Sequence, residues 1–149
     1  MQSLFNPADR EALSMRVATL GPDASRQWGT MAPAQMLLHC AIGLEAATGD
    51  RPMKQAFLGK LVTPFILGSV LGEKPLRRNV PTDPSFVVSD PREFEVERTR
   101  LATLIDRFIR RGPEAAAQET HAFFGRLSGD QWGRLMFKHL DHHLRQFGV

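Results

Sequence analysis

A chain of 149 residues suits one domain, here taken as residues 1–149, and is long enough to bury a core without disulfide staples. With 42% hydrophobic and 23% charged residues it reads as an ordinary globular protein, which excludes disordered and collagen-like classes. The net charge of +3 comes from 19 Lys+Arg against 16 Asp+Glu, interleaved along the chain, a weak basic bias that hints at anionic ligands and no more.

Asn6 and Pro7 predict a first helix over Pro7 to Leu20, with Asn6 as N-cap and Leu13, Val17 and Leu20 as its apolar stripe. Gly21-Pro22 stops it. A second helix is expected from about Met31 to Thr48, capped by Thr30 and ended by Gly49. Its apolar residues Met36, Leu37, Leu38, Ile42 and Leu44 fall on several faces, the pattern of a buried helix. The 16-residue stretch Ala56 to Leu71 is apolar but holds Lys60, Pro64 and two glycines. It is too short to span a membrane and is expected to be a broken or short helix, buried in the protein.

Lys74 to Pro91 reads as a long connection, because Pro75, Pro81, Pro84 and Pro91 oppose regular helix. Phe86-Val87-Val88 is the only weak strand signal. A third long helix is expected from Arg92 to Arg111, capped by Asp90, with Phe94, Leu101, Leu104, Ile105, Phe108 and Ile109 inward and Gly112-Pro113 as its stop. The last helix is expected from Gly129 to Phe147, with Ser128 and Gln131 at capping-box spacing. Four long helices make an all-α four-helix bundle the economical architecture, and bundles build metal sites between facing helices.

The chemistry concentrates in histidine. Of five histidines, three lie in the run His139-Leu-Asp-His142-His143. At about 100° per residue, His143 falls about 40° from His139, Trp132 about 20° and Met136 about 60°, so both imidazoles sit in the apolar stripe. Lys138, Arg134, Asp141 and Arg145 take the opposite side, and His142 falls at the margin. Imidazoles at i and i+4 converge on one point beside a helix and serve as paired ligands of a divalent metal. His39, on the apolar second helix among the small residues Ala32, Gly43 and Ala46, is the natural third ligand, with those small residues leaving room for an ion. Gln146 lies on the same face and could orient a ligand. His142 and, in the basic loop Lys74, Arg77 and Arg78, the side chain of Arg78 complete the substrate-side candidates. Glu45 and Glu97 are weaker oxygen-ligand candidates. Cys40, one step round from His39, is expected to be a buried small hydrophobe, and His121 to face water.

The segments Met36-Leu-Leu-His39, Asn79-Val-Pro-Thr-Asp-Pro84, Phe123-Phe-Gly-Arg-Leu-Ser-Gly-Asp-Gln-Trp132 and His139-Leu-Asp-His142-His143-Leu-Arg-Gln146 resemble the DinB-like superfamily of helical-bundle metalloproteins, in an uncharacterised bacterial branch. The resemblance implies an up-down-down-up four-helix bundle with a long Pro-rich connection. It implies one zinc or nickel ion on His39, His139 and His143, with a low-molecular-weight thiol such as bacillithiol or mycothiol as cosubstrate. It also implies a thiol transferase or related activity on a small-molecule substrate, and a homodimer.

The expected function is therefore divalent-metal binding, with a metal-dependent transferase or hydrolase as first reading and a non-enzymatic metal- or stress-responsive protein as the alternative. A nucleic-acid partner is disfavoured, since no helix carries a concentrated basic face and there is no Tyr to stack bases. Arg107, Arg110 and Arg111 suit a helix C-terminus equally well. With one cysteine and no signal-like N-terminus, the cytoplasm is the expected location and no membrane is involved. Because ligand histidines must be neutral, metal affinity is expected to fall below about pH 6.

Overall fold

A computed structural model describes residues 1–80 and 82–149. Pro81, one of the four prolines assigned to the long connection, lies outside the described residues. Among the described residues the chain is mostly helical. The order is α1 (Pro7–Thr19), α2 (Pro33–Ala47), α3 (Phe57–Leu71), a 3-10 turn at Pro84–Phe86, α4 (Phe94–Ala116), β1 (Thr120–His121), β2 (Gly125–Arg126) and α5 (Gly129–Gln146). The two strands form a small antiparallel hairpin.

Local chemistry explains most of the boundaries. The Asn6 side chain accepts from the N–H groups of Ala8 and Asp9, and Ser128 and Gln131 close the expected capping box on α5. On α2 the cap differs from expectation: Thr30 is not used, and Gln35 reaches back to the Ala32 N–H at 2.8 Å. α4 begins after Glu93 rather than Asp90. Its regular course ends at Gly112, whose φ of 77° only glycine adopts cheaply, and a further helical turn follows from Pro113. Phe86 and Val88 are buried, but Phe86 lies in the 3-10 turn and not in a strand.

The core joins α1, α2, α4 and α5. Trp132, Phe108, Leu13, Leu37, Leu44, Leu101 and Leu140 are almost wholly enclosed. Contacts fix relative directions. Leu4 bonds Gly133 and Arg16 pairs with Asp141, so α1 runs alongside α5 in the same sense. Arg100 pairs with Glu45 and Arg107 with Asp50, so α4 runs with α2. α2 and α5 are antiparallel, because His39 packs on His143 while Gly43 meets His139.

α3 departs from expectation twice. It is continuous through Pro64, and it is not buried: only Gly59 and Leu71 are, while Phe57 and Phe65 are 77% and 86% exposed. Pro64 removes one helical hydrogen bond at the Lys60 carbonyl, and on an exposed helix solvent can take that place. The helix is held at its first turns by the hairpin segment, where Ala56 N–H bonds the Ala122 carbonyl and Thr63 and Gln55 bond that of Phe123. No described helix is long and apolar enough to cross a membrane.

Candidate metal centre

α2 and α5 bring His39, His139 and His143 together. One ligand atom from each lies within 4.8 Å of the others, and the three ring centroids stand 4.7–5.0 Å apart. His39 and His143 are buried and His139 is partly exposed. The Nε2 atoms of His39 and His139 are 3.0 Å apart. For comparison, Zn–N bonds of about 2.0–2.1 Å place ligand nitrogens of one tetrahedral ion about 3.3 Å apart.

Hydrogen bonding decides which nitrogens are bare. The Nδ1 of His39 lies 2.9 Å from the carbonyl oxygen of Phe86, which can only accept, so Nδ1 carries the proton and Nε2 presents its lone pair. The same logic runs through Gln146. Its Nε2 donates to the Trp28 carbonyl at 2.8 Å, which turns Oε1 toward His143 Nδ1 at 2.9 Å. His143 therefore donates from Nδ1 and also keeps a bare Nε2. Gly43 leaves room for a ring, not for an ion: a Cβ there would stand 3.3 Å from Nδ1 and Cε1 of His139. The donor set thus fits a divalent transition metal in residue type and convergence, and in tautomer at His39 and His143.

Burial keeps the three rings neutral. Desolvation lowers the pKa of His39, partly offset by its Phe86 bond. Desolvation first, then the neighbouring histidines, hold His139 well below the ordinary value. Burial brings His143 to about 3. The lowered values move proton competition for the folded site in the acid direction from that of unperturbed imidazole.

The remaining candidates separate clearly. Gln146 is buried, with its Oε1 2.9 Å from His143 Nδ1. His142 is not in the cluster, but its ring lies 5.0 Å from that of His143 and 5.5 Å from that of Trp28. The guanidinium of Arg78 covers Trp28. Cys40 is buried, with burial raising its pKa and its thiol 3.7 Å from the Met36 sulfur, so it stays out of the centre. Glu45 pairs with Arg100, and Glu97 is buried 3.8 Å from the same arginine, so neither joins the histidines. Arg107 and Arg111 are matched by Asp50 and Glu119, which removes much of the basic helix end.

His121 corrects an expectation. It does not simply face water: its ring packs on Phe124 and Trp132, and its Nδ1 accepts from the N–H groups of Phe123 and Phe124, both at 3.0 Å. Burial lowers its pKa to about 4. Sequence reasoning also missed the carbonyl groups of Phe86 and Trp28. Both act through backbone atoms far along the chain, for which no residue-type signal exists.

No curated protein and no solved structure matches the chain. A family profile described as "Protein of unknown function (DUF1569)" matches residues 3–148, and the chain therefore belongs to that family.

Proposed function

We propose that the chain is a single-domain, cytoplasmic metalloprotein that holds one zinc or nickel ion on His39, His139 and His143 and acts as a metal-dependent thiol transferase or a related enzyme. The observation that carries this is the pair of enforced tautomers, since Phe86 and Gln146 both spend the Nδ1 proton and leave Nε2 bare toward a common point. A core histidine also needs a partner for its N–H, but packing alone does not call for two bare Nε2 atoms that converge with a third imidazole. The DinB-like bundle belongs to the same proposal. It is supported by the parallel α1–α5 and α2–α4 pairs and the antiparallel α2–α5 pair, the directions an up-down-down-up arrangement requires.

An ion in such a site lowers the pKa of a coordinated thiol or water. The chain's own residues do the rest. His39 and His143 are held by their Nδ1 bonds, and buried α2 and α5 side chains keep bulk water from two of the three rings. Three protein ligands leave a position open for a small molecule, as catalytic sites require. Among the described residues Cys40, Glu45 and Glu97 do not join the histidine cluster, which favours the enzyme over a saturated, non-enzymatic metal store. The exposed apolar face of α3, with Phe57, Leu58, Leu61 and Phe65, supports a homodimer as part of the reading.

The test is cobalt substitution. Addition of 2-mercaptoethanol to cobalt-loaded protein is expected to give a thiolate-to-cobalt charge-transfer band, absent in His143→Ala. A cobalt protein whose spectrum ignores thiols would remove the thiol reading while leaving the metal site in place.

A further inference from the structure

Arg16, Arg100, Arg107, Arg111 and Arg145 each meet a carboxylate. Arg78 does not. Among the described residues it has no carboxylate within 4.0 Å and no hydrogen-bond acceptor, and its guanidinium carbon lies 4.0 Å above the centroid of the Trp28 ring. A guanidinium on an aromatic face keeps its edge free, and that edge carries the N–H donors that fit an oxyanion.

Trp28 is fixed to the frame of the histidine centre. The Gln27 N–H donates to the Gln146 carbonyl at 2.7 Å, and the Gln146 amide donates to the Trp28 carbonyl. Gly29 follows with φ of 75°, and a Cβ there would collide with the same Gln146 amide, so the segment sits close against the end of α5. Gln146 in turn holds His143. From Trp28 the rings of His142 and then His143 lead into the centre, at 5.5 and 5.0 Å between centroids. One glutamine therefore ties together a metal-ligand candidate and the aromatic platform under an unmatched cation.

We propose that the Arg78 guanidinium, seated on Trp28, anchors the oxyanion of the ligand that enters the three-histidine centre, so that the substrate or cosubstrate is a small molecule carrying a carboxylate or phosphate. This rests on the thiol reading above for the atom that reaches the metal, but the anchor itself stands on Arg78 and Trp28. Arg78 is exposed, and a charge-assisted contact there is worth a preference of about two- to fivefold.

The experiment titrates cobalt-loaded protein with mercaptoacids from mercaptoacetate to 6-mercaptohexanoate, their methyl esters, and mercaptoalkyl phosphonates of matching length. Binding is read from the cobalt absorption spectrum. At least one chain length is expected to bind about two- to fivefold tighter as the anion than as the ester, with a preference that shrinks at high salt. Arg78→Ala and Trp28→Leu should abolish the preference with cobalt still bound, and Arg77→Ala, a neighbouring change of equal charge, should keep it. The phosphonate arm shows which oxyanion the edge prefers. Equal affinity for acid and ester at every length, or equal loss in Arg77→Ala, would overturn the anchor while the thiol reading stands. Should no thiol perturb the cobalt, the thiol reading falls, and calorimetric titration of wild type and Arg78→Ala with the corresponding simple carboxylates decides the anchor: it survives only with weaker binding in the variant.

Discussion

α3 and α5 invert the usual link between hydropathy and burial. α3 carries one charged residue in fifteen, yet it shows Phe57, Leu58, Leu61 and Phe65 to solvent. α5 is half polar, yet Trp132, Leu135, Met136, Leu140 and Leu144 are buried along it, and His143 and Gln146 are buried with them. The difference is patterning. On α5 the apolar residues share one face, and α1, α2 and α4 close over it, so polar groups on that face are enclosed too and must be paired. On α3 the apolar residues run all round, and only the side against the hairpin and α5 is covered.

The largest effect that sharpens this contrast is on stability. Trp132 is fully enclosed, so Trp132→Ala should cost about 3–5 kcal/mol in denaturant unfolding. Phe65→Ala, at 86% exposure, should stay within about 0.5 kcal/mol. Equal costs would show that α3 is as embedded as α5.

Next comes pH. His121 has a folded pKa of about 4 against an ordinary 6.5, so between those values the unfolded chain takes up a proton that the folded chain refuses. Its contribution is complete above pH 6.5 and is lost as pH falls through that window toward 4, by roughly 2–3 kcal/mol in all. Urea unfolding of metal-free protein at pH 7 and 4.5 should show this loss on top of that from the buried site histidines, and His121→Asn should remove the His121 share. A pH dependence identical in wild type and variant would mean that His121 is solvated in the folded state.

A smaller effect tests the bracing of the site. Gln146→Leu removes the acceptor for His143 Nδ1 and should weaken metal affinity about 10- to 100-fold in competition with a chelating dye. Gln146→Glu keeps an acceptor there and should lose less. Identical losses would argue that Gln146 serves packing alone.

How far the sequence was legible follows the same divide. The angular positions of His139 and His143, the capping box at Ser128 and Gln131 and the stop at Gly112 are local, and helix geometry alone gives them. His39 was legible as a third partner because it is a lone histidine on a helix apolar nearly all round. The Phe86 carbonyl, 47 residues from His39, and the Trp28 carbonyl, 118 residues from Gln146, belong to tertiary structure, and any residue type could have supplied them. His121 was misjudged because its ring is bound by the hairpin's own N–H groups, in a segment without helical period. α3 was misjudged because apolar content says what a helix tolerates, not what packs on it.

The central claim is tested most directly by elemental analysis of untagged protein prepared without chelators, wild type beside His139→Ala, with circular dichroism to confirm that both are folded. The account predicts close to one zinc or nickel per wild-type chain and a loss of most of it in the folded variant. Wild-type protein that holds no metal and gains no thermal stability from added zinc or nickel, or a variant that retains full occupancy, would contradict it.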